Sequence, residues 1–150
     1  MAQTLVSLLV HVVFSTKNRE PFITSEIEPE LFAYIGGIVK NNESRLLDAG
    51  GTADHIHLLV SLSKNVALSP LMKDVKKDSS SWIKSKGRHF RNFHWQDGYG
   101  AFSLGRSDVP ELKKYIGGQK EHHRKRTFNE ELVELLEELG IAYDERYLWR

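Results

Sequence analysis

The chain has 150 residues, enough for one domain with a real core, and its 40% hydrophobic and 27% charged residues are the balance of a globular protein. The absence of cysteine excludes disulfides, thiolate metal sites and a cysteine nucleophile. Met1-Ala2-Gln3-Thr4 is not a basic leader and His11 interrupts the apolar run behind it, so no signal peptide or membrane span is expected, and the expected location is cytoplasmic.

Leu5 to Phe14 (LVSLLVHVVF) is apolar and β-branched at its end, which predicts a buried central strand with His11 inside it. Ser25 to Asn42 predicts a helix, capped by Thr24 or Ser25, with Ile27, Leu31, Tyr34, Ile35 and Ile38 on one apolar stripe. Arg45 to Ala49 is a short strand candidate, and Gly50-Gly51 predicts the turn into the next strand.

That next strand is Asp54-His55-Ile56-His57-Leu58-Leu59-Val60-Ser61-Leu62. Side chains alternate along a strand, so His55 and His57 share a face, ~7 Å apart at the backbone. Two imidazoles so placed can converge on one divalent metal ion. The alternative is two histidines on a half-buried strand, and the H-x-H spacing alone does not decide between them.

A second helix opens at Ser69-Pro70, with Leu71, Val75, Ser79, Trp82 and Ile83 on its packed side. Its other side belongs to a basic stretch: Lys64, Lys73, Lys76, Lys77, Lys84, Lys86, Arg88 and Arg91. The overall charge of +1 therefore hides segregation. A second basic run holds Lys113, Lys114, Lys120, Arg124, Lys125 and Arg126, and Glu130, Glu131, Glu134, Glu137 and Glu138 follow it. Such stretches fit a phosphate backbone or an ordinary solvated helix face equally well.

Arg88 to Gly98 (RHFRNFHWQDG) interleaves cations with rings, the composition of a single-stranded nucleic-acid surface, or else of a loop anchored on the sheet by its aromatics. Tyr99 to Leu104 is a fourth strand candidate. Ser107 then caps a helix running to about Lys125, on which Tyr115 and Gln119, four apart, share a face. Gly117-Gly118 weakens that helix and points to a close backbone approach or a hinge. Thr127 starts a last amphipathic helix, with Leu132, Leu135, Leu136 and Leu139 on its apolar side, ending at Gly140. Tyr143 to Arg150 is an aromatic tail expected to dock on a neighbouring surface.

The order β-α-β-β-α-β-α-α predicts one α+β domain over residues 1–150: a ferredoxin-like split β-α-β with a four-stranded antiparallel sheet, helices on one face, and further C-terminal helices.

D-H-I-H-L-L-V, W-Q-D-G-Y-G-A-F-S and K-K-Y-I-G-G-Q-K-E-H-H, with H-V-V-F-S-T-K before them and T-F-N-E-E after, resemble the HUH-superfamily single-tyrosine transposases of insertion-sequence 200/605-type elements and their REP-associated relatives. The resemblance runs through most of the chain, in order. It implies a DNA transposase that cleaves and rejoins single strands at element-end hairpins through a 5′-phosphotyrosine. Tyr115 would be the nucleophile, and His55, His57 and Gln119 the ligands of Mg²⁺ or Mn²⁺. It also implies a homodimer whose active sites are shared between chains, working in the cytoplasm at the nucleoid. Lys73, Lys76, Lys77, Arg88, Arg91, Trp95, Lys113, Lys114, Lys120 and Arg124 are then the expected DNA-binding residues.

The chemistry is consistent. A phenol is weakly nucleophilic at its free pKa of about 10, and a bound cation stabilises charge developing on phosphate. The tyrosine ester conserves the bond energy for rejoining. Two other classes would use the same residues differently: a non-catalytic module binding single strands or hairpins, and a metal-dependent hydrolase acting through an activated water.

Overall fold

A computed structural model describes residues 2–148, the side chain of Tyr147 apart. Four strands, β1 (Leu9–Ser15), β2 (Arg45–Gly51), β3 (His55–Ser61) and β4 (Gly100–Leu104), form one sheet in the order β2-β3-β1-β4. Every neighbouring pair is antiparallel. Among the described residues five α-helices accompany it: α1 (Glu28–Asn41), α2 (Leu68–Lys84), α3 (Val109–Gly117), α4 (Gln119–His122) and α5 (Phe128–Glu138). The fold is the expected α+β arrangement around a four-stranded antiparallel sheet.

Alternation along the two central strands divides the interior. Val12 and Phe14 of β1, with Ile56, Leu58 and Val60 of β3, pack into one cluster with Leu31, Ile35 and Val39 of α1 and Leu71, Val75 and Ile83 of α2. Val13 faces the other way and meets Phe102 of β4 and Phe128, Leu132 and Leu136 of α5. Full burial of each such side chain is worth about 1.5–3 kcal/mol, so both faces carry a true core. His11, His55 and His57 have the parity of Val13 and lie on the α5 side, each buried. The tail docks on this second cluster through Tyr143 and Leu148, whereas Trp149 and Arg150 lie outside the described residues.

The sequence reading fails at several boundaries for identifiable reasons. β1 starts at Leu9, and Leu5, Val6 and Leu8 are exposed; hydrophobicity extended the strand beyond its ladder partners Ser61 and Leu104. α1 starts at Glu28, three residues past Ser25, although Thr24 Oγ1 still accepts from the Ile27 backbone N–H at 3.4 Å. Tyr34 leaves the core stripe: it is 40% exposed and stacks on Trp82 of α2.

Gly50 and Gly51 are the last residues of β2 and not its turn. A Cβ on Gly50 would lie 2.6 Å from the Ile116 carbonyl oxygen, so a bare backbone here lets α3 lie directly on β2. Gly50→Ala is expected to cost about 1–3 kcal/mol by overpacking and to displace α3; chemical denaturation of the variant measures the loss, and an unchanged stability would contradict this contact.

The single helix expected from Ser107 to about Lys125 is broken. It begins as a turn of 3-10 helix at Arg106–Asp108, continues as α3, and stops at Gly118 (φ −93°, ψ 9°), after which α4 restarts. The glycine pair therefore makes a joint between Tyr115 and Gln119.

Candidate functional site

The site is built on the α5 side of the sheet, where β3 presents two histidines to α3, α4 and α5. At its centre is a residue that the motifs did not reveal, Glu131 of α5, which is fully buried. Its Oε1 accepts from His57 Nε2 at 3.0 Å and lies 3.6 Å from His55 Nε2. Its Oε2 accepts from Gln119 Nε2 at 3.0 Å, accepts a short hydrogen bond from the Tyr115 hydroxyl, and lies 3.2 Å from His123 Nε2. Tyr115, His55, His57 and Gln119, expected together from sequence, thus meet on one carboxylate. The signal for Glu131 was present in α5. Phe128, Glu131, Leu132, Leu135 and Leu136 follow the i, i+3, i+4, i+7, i+8 pattern of a core-facing stripe, with an acid in the second place.

Each β3 histidine is oriented by a further partner. His55 Nδ1 lies 2.8 Å from Asp54 Oδ1, which also accepts from Thr52 Oγ1. His57 Nδ1 lies 2.8 Å from His11 Nε2 on β1. Val13 is the residue paired opposite His57 and Leu59 the residue opposite His11, so the two rings meet diagonally across the ladder, stacked 5.0 Å apart.

The electrostatics follow from burial and this ring of donors. Burial by itself would raise the Glu131 carboxyl. The close approach of His123 Nε2, with hydrogen bonding from His57 and Tyr115, outweighs it and holds the group well below the usual carboxylate range. Burial pushes His11 down to about 3, helped by His57 beside it, and lowers His57 in spite of Glu131. Burial, then the Glu131 carboxylate, raises Tyr115 above its ordinary value. The phenol is therefore protonated and anchored at neutral pH in this arrangement.

The donor set suits a divalent cation. Among the described residues, His55, His57 and Glu131 form a buried group whose ligand atoms lie within 4.8 Å of one another. Gln119 adds to it. Its Nε2 is committed to Glu131, which turns its Oε1 toward His55 Nε2 at 2.9 Å. A neutral His55 has one hydrogen for two acceptors, Asp54 Oδ1 at Nδ1 and Gln119 Oε1 at Nε2; when Asp54 takes it, the Nε2 and Oε1 lone pairs are left facing one another, an arrangement a cation relieves.

The expected DNA-binding residues divide. Lys73, Lys77, Arg88, Arg91, Lys113, Lys114, Lys120 and Arg124 are exposed. Trp95 is buried at 8%: its ring packs edge-on with Phe14 and Phe93, and its Nε1–H donates to Ser79 Oγ. Lys76 donates to the Gln96 and Gly98 carbonyls at 2.7 Å. The aromatic loop is thus anchored on the α1–α2 side, and the stacking surface expected of Trp95 is replaced by core packing. Nearer the tyrosine, Lys120 pairs with Glu28 at 2.9 Å, Arg124 with Glu121 at 3.2 Å, and Arg126 with Glu134. Open clefts flank the site, and two of them share residues. One, of about 840 Å³, is lined by Lys114, Tyr115 and His122; the other, of about 550 Å³, by Arg19, Asp54 and His123. Lys125 and Arg126 line both.

Among the described residues no helix is long and apolar enough to cross a membrane. No curated protein matches the chain. Solved structures do. A protein of Deinococcus radiodurans R1, provisionally classed as a transposase, matches at 20% identity with a TM-score of 0.62, over 79% of this chain and 95% of that one. A REP-associated tyrosine transposase bound to a REP hairpin matches at 14% identity and a TM-score of 0.62, over 82% of this chain and 73% of that one. At these identities the likeness is one of fold. The family model described as Transposase IS200 like matches residues 4–119, which hold β1 to β4, both strand histidines, Tyr115 and Gln119. The chain belongs to the IS200-like transposase family.

Proposed function

We propose that this transposase cleaves and rejoins single-stranded DNA at element-end hairpins, with Tyr115 as nucleophile and a 5′-phosphotyrosine as intermediate. The observation that carries the reading is the meeting of the Tyr115 hydroxyl, the His55–His57 pair and Gln119 on the buried Glu131 carboxylate. A phenol held against a candidate metal-ligand set is the pairing this chemistry needs. Attack by the Tyr115 oxygen on phosphorus forms the ester and releases a 3′-OH, and attack by a 3′-OH reverses it.

His55, His57, Gln119 and Glu131 would hold Mg²⁺ or Mn²⁺, which supplies Lewis-acid polarisation of the scissile phosphate and stabilises the charge that develops there. The chain's own work is to orient. α3 presents Tyr115, Gln119 fixes one edge of the site, and the two clefts sharing Lys125 and Arg126, one lined by Tyr115 and the other by His123, give a strand a path past the site. Lys113, Lys114, Lys120 and Arg124 are the cations we assign to its phosphates, with Lys73, Lys77, Arg88 and Arg91 further away. The hairpin seen with the REP-associated neighbour supports hairpin ends as the substrate. Because α5 completes the site beyond the family match, residues 1–150 act as one unit. A homodimer with sites shared between chains is the assembly the family resemblance implies, and we place the work on DNA in the cytoplasm.

The test is metal binding and adduct formation together. Calorimetric titration with Mn²⁺ is expected to give one site in the wild type, lost in His57→Ala and weakened at least tenfold in Glu131→Gln. Hairpin-bearing single-stranded DNA with Mn²⁺ is expected to give an adduct that survives denaturation, and chelation is expected to prevent it. Unchanged Mn²⁺ affinity in His57→Ala, or an adduct that forms in chelator, overturns the reading.

A further inference from the structure

His11 is left without a task by the chemistry above, yet it is buried and bonded to one of the strand histidines. We propose that His11 is a positioning residue that sets the tautomer of His57, and that loading of the metal site is coupled to a switch of tautomer along the His57–His11 pair. The proposal rests on the metal reading of the preceding section.

A carboxylate only accepts, so where His57 Nε2 meets Glu131 Oε1 the hydrogen is on His57 Nε2. Neutral imidazole carries one N–H, so His57 Nδ1 is then an acceptor, and the 2.8 Å contact requires His11 Nε2 to donate to it. Both rings are Nε2–H tautomers in this arrangement. A metal ligand must offer a lone pair, so ligation through His57 Nε2 needs that hydrogen gone. The hydrogen between the rings passes from His11 Nε2 to His57 Nδ1, and the contact is kept with its direction reversed. His11 takes a hydrogen on Nδ1, and the one leaving His57 Nε2 goes to solvent, so the pair stays neutral and no net proton is released. His11 lines an open cleft of about 390 Å³ with Ser103, Asp108 and Tyr115, which gives this exchange a route to water. Among ordinary side chains, only one that both donates and accepts can serve in the two states. Phenylalanine keeps the packing against Phe102 and does neither.

Titration of the full chain with Mg²⁺ and with Mn²⁺ tests this. His11→Phe is expected to weaken binding about 10–100-fold, as removal of a ligand's outer partner does, whereas His11→Gln, which can accept from His57 Nδ1, is expected to stay close to wild type. Nitrogen-15 imidazole spectra of the wild type, with Mg²⁺ as the diamagnetic probe, are expected to show His57 and His11 changing from Nε2–H to Nδ1–H on loading. Wild-type affinity in His11→Phe, equal losses in both variants with the fold retained, or a His57 tautomer indifferent to Mg²⁺ would each overturn the proposal. The spectra decide it if His11→Phe does not fold. His57→Ala separates the two levels of failure: if it binds metal like wild type, the metal reading itself falls; if only His11→Phe is neutral, His11 alone is misassigned.

Discussion

Tyr115→Phe is expected to abolish the covalent protein–DNA adduct completely while leaving hairpin binding near wild type. The substitution removes one oxygen and keeps the ring that packs 5.6 Å from His57 and 6.4 Å from His11. Nothing in phenylalanine attacks phosphorus, so loss is total rather than graded. Loss of a hydrogen bond to a charged group costs stability of only about 1.5–3 kcal/mol, small enough to keep the fold. Denaturing gels report the adduct and gel shifts the binding. Cleavage that persists in Tyr115→Phe would transfer the reaction to an activated water, and a wild type that binds hairpins without any adduct would leave a binding module. A mixing experiment then distinguishes a site built within one chain from one shared across a dimer. Tyr115→Phe mixed with His57→Ala, under conditions of proven subunit exchange, is expected to give no adduct, because each tyrosine faces its own chain's histidines. Recovered adduct would instead mean that sites are shared across a dimer.

The second large effect is acid lability of the metal-free protein. Burial lowers His11 from about 6.5 in an unfolded chain to about 3 in the fold, so below pH 6.5 the unfolded state binds more protons. Stability is complete above pH 6.5 and falls as pH drops toward 3. At about 1.4 kcal/mol per pH unit, His11 alone removes about 2 kcal/mol by pH 5, and His57, lowered as well, acts in the same direction. Glu131 and Asp54, both lowered, lose their contributions in a second window, as pH falls below the ordinary carboxylate range. Urea unfolding in chelator at pH 7.5, 6 and 5 measures the first window. A flat profile would mean that the histidine pair is not buried and neutral, and His11→Phe is expected to flatten the curve.

The legible and illegible parts of this molecule differ in the range of the interactions that fix them. H-I-H on β3 is a local spacing that strand geometry projects directly to a shared face, and Tyr115 and Gln119 are close enough in the chain to meet on Glu131 although the helix stops between them. The element order survives because turn and cap signals are local too. Glu131 is fixed by β3, α3 and α4 at once, and α5 presents Glu130, Glu131, Glu134, Glu137 and Glu138 as one acidic helix until its apolar stripe is counted. The same applies to Trp95. Its sequence neighbours Arg91 and His94 are exposed, while Phe93, two residues before it, and the distant Phe14 and Ser79 take it inside. Gly50 misled because a glycine pair marks a turn more often than it marks the path of a helix across a strand.

The ion pairs around the tyrosine alter how such a protein answers to salt. A bare lysine or arginine that meets a phosphate releases a condensed counterion, which gives single-strand binding a slope of about −0.7 per phosphate in log affinity against log salt. Lys120, Arg124 and Arg126 are already engaged with Glu28, Glu121 and Glu134. A phosphate taking any of these cations dismisses a carboxylate, which then collects a cation of its own from solution. The ions gained offset the ions released, so these residues add to contact geometry without adding in full to ionic-strength sensitivity. With a formal charge of only +1, the chain also exerts little attraction on a distant polyanion. Its basic residues act as exchangeable grips at contact, and capture from afar falls to whatever holds the strand in place beforehand.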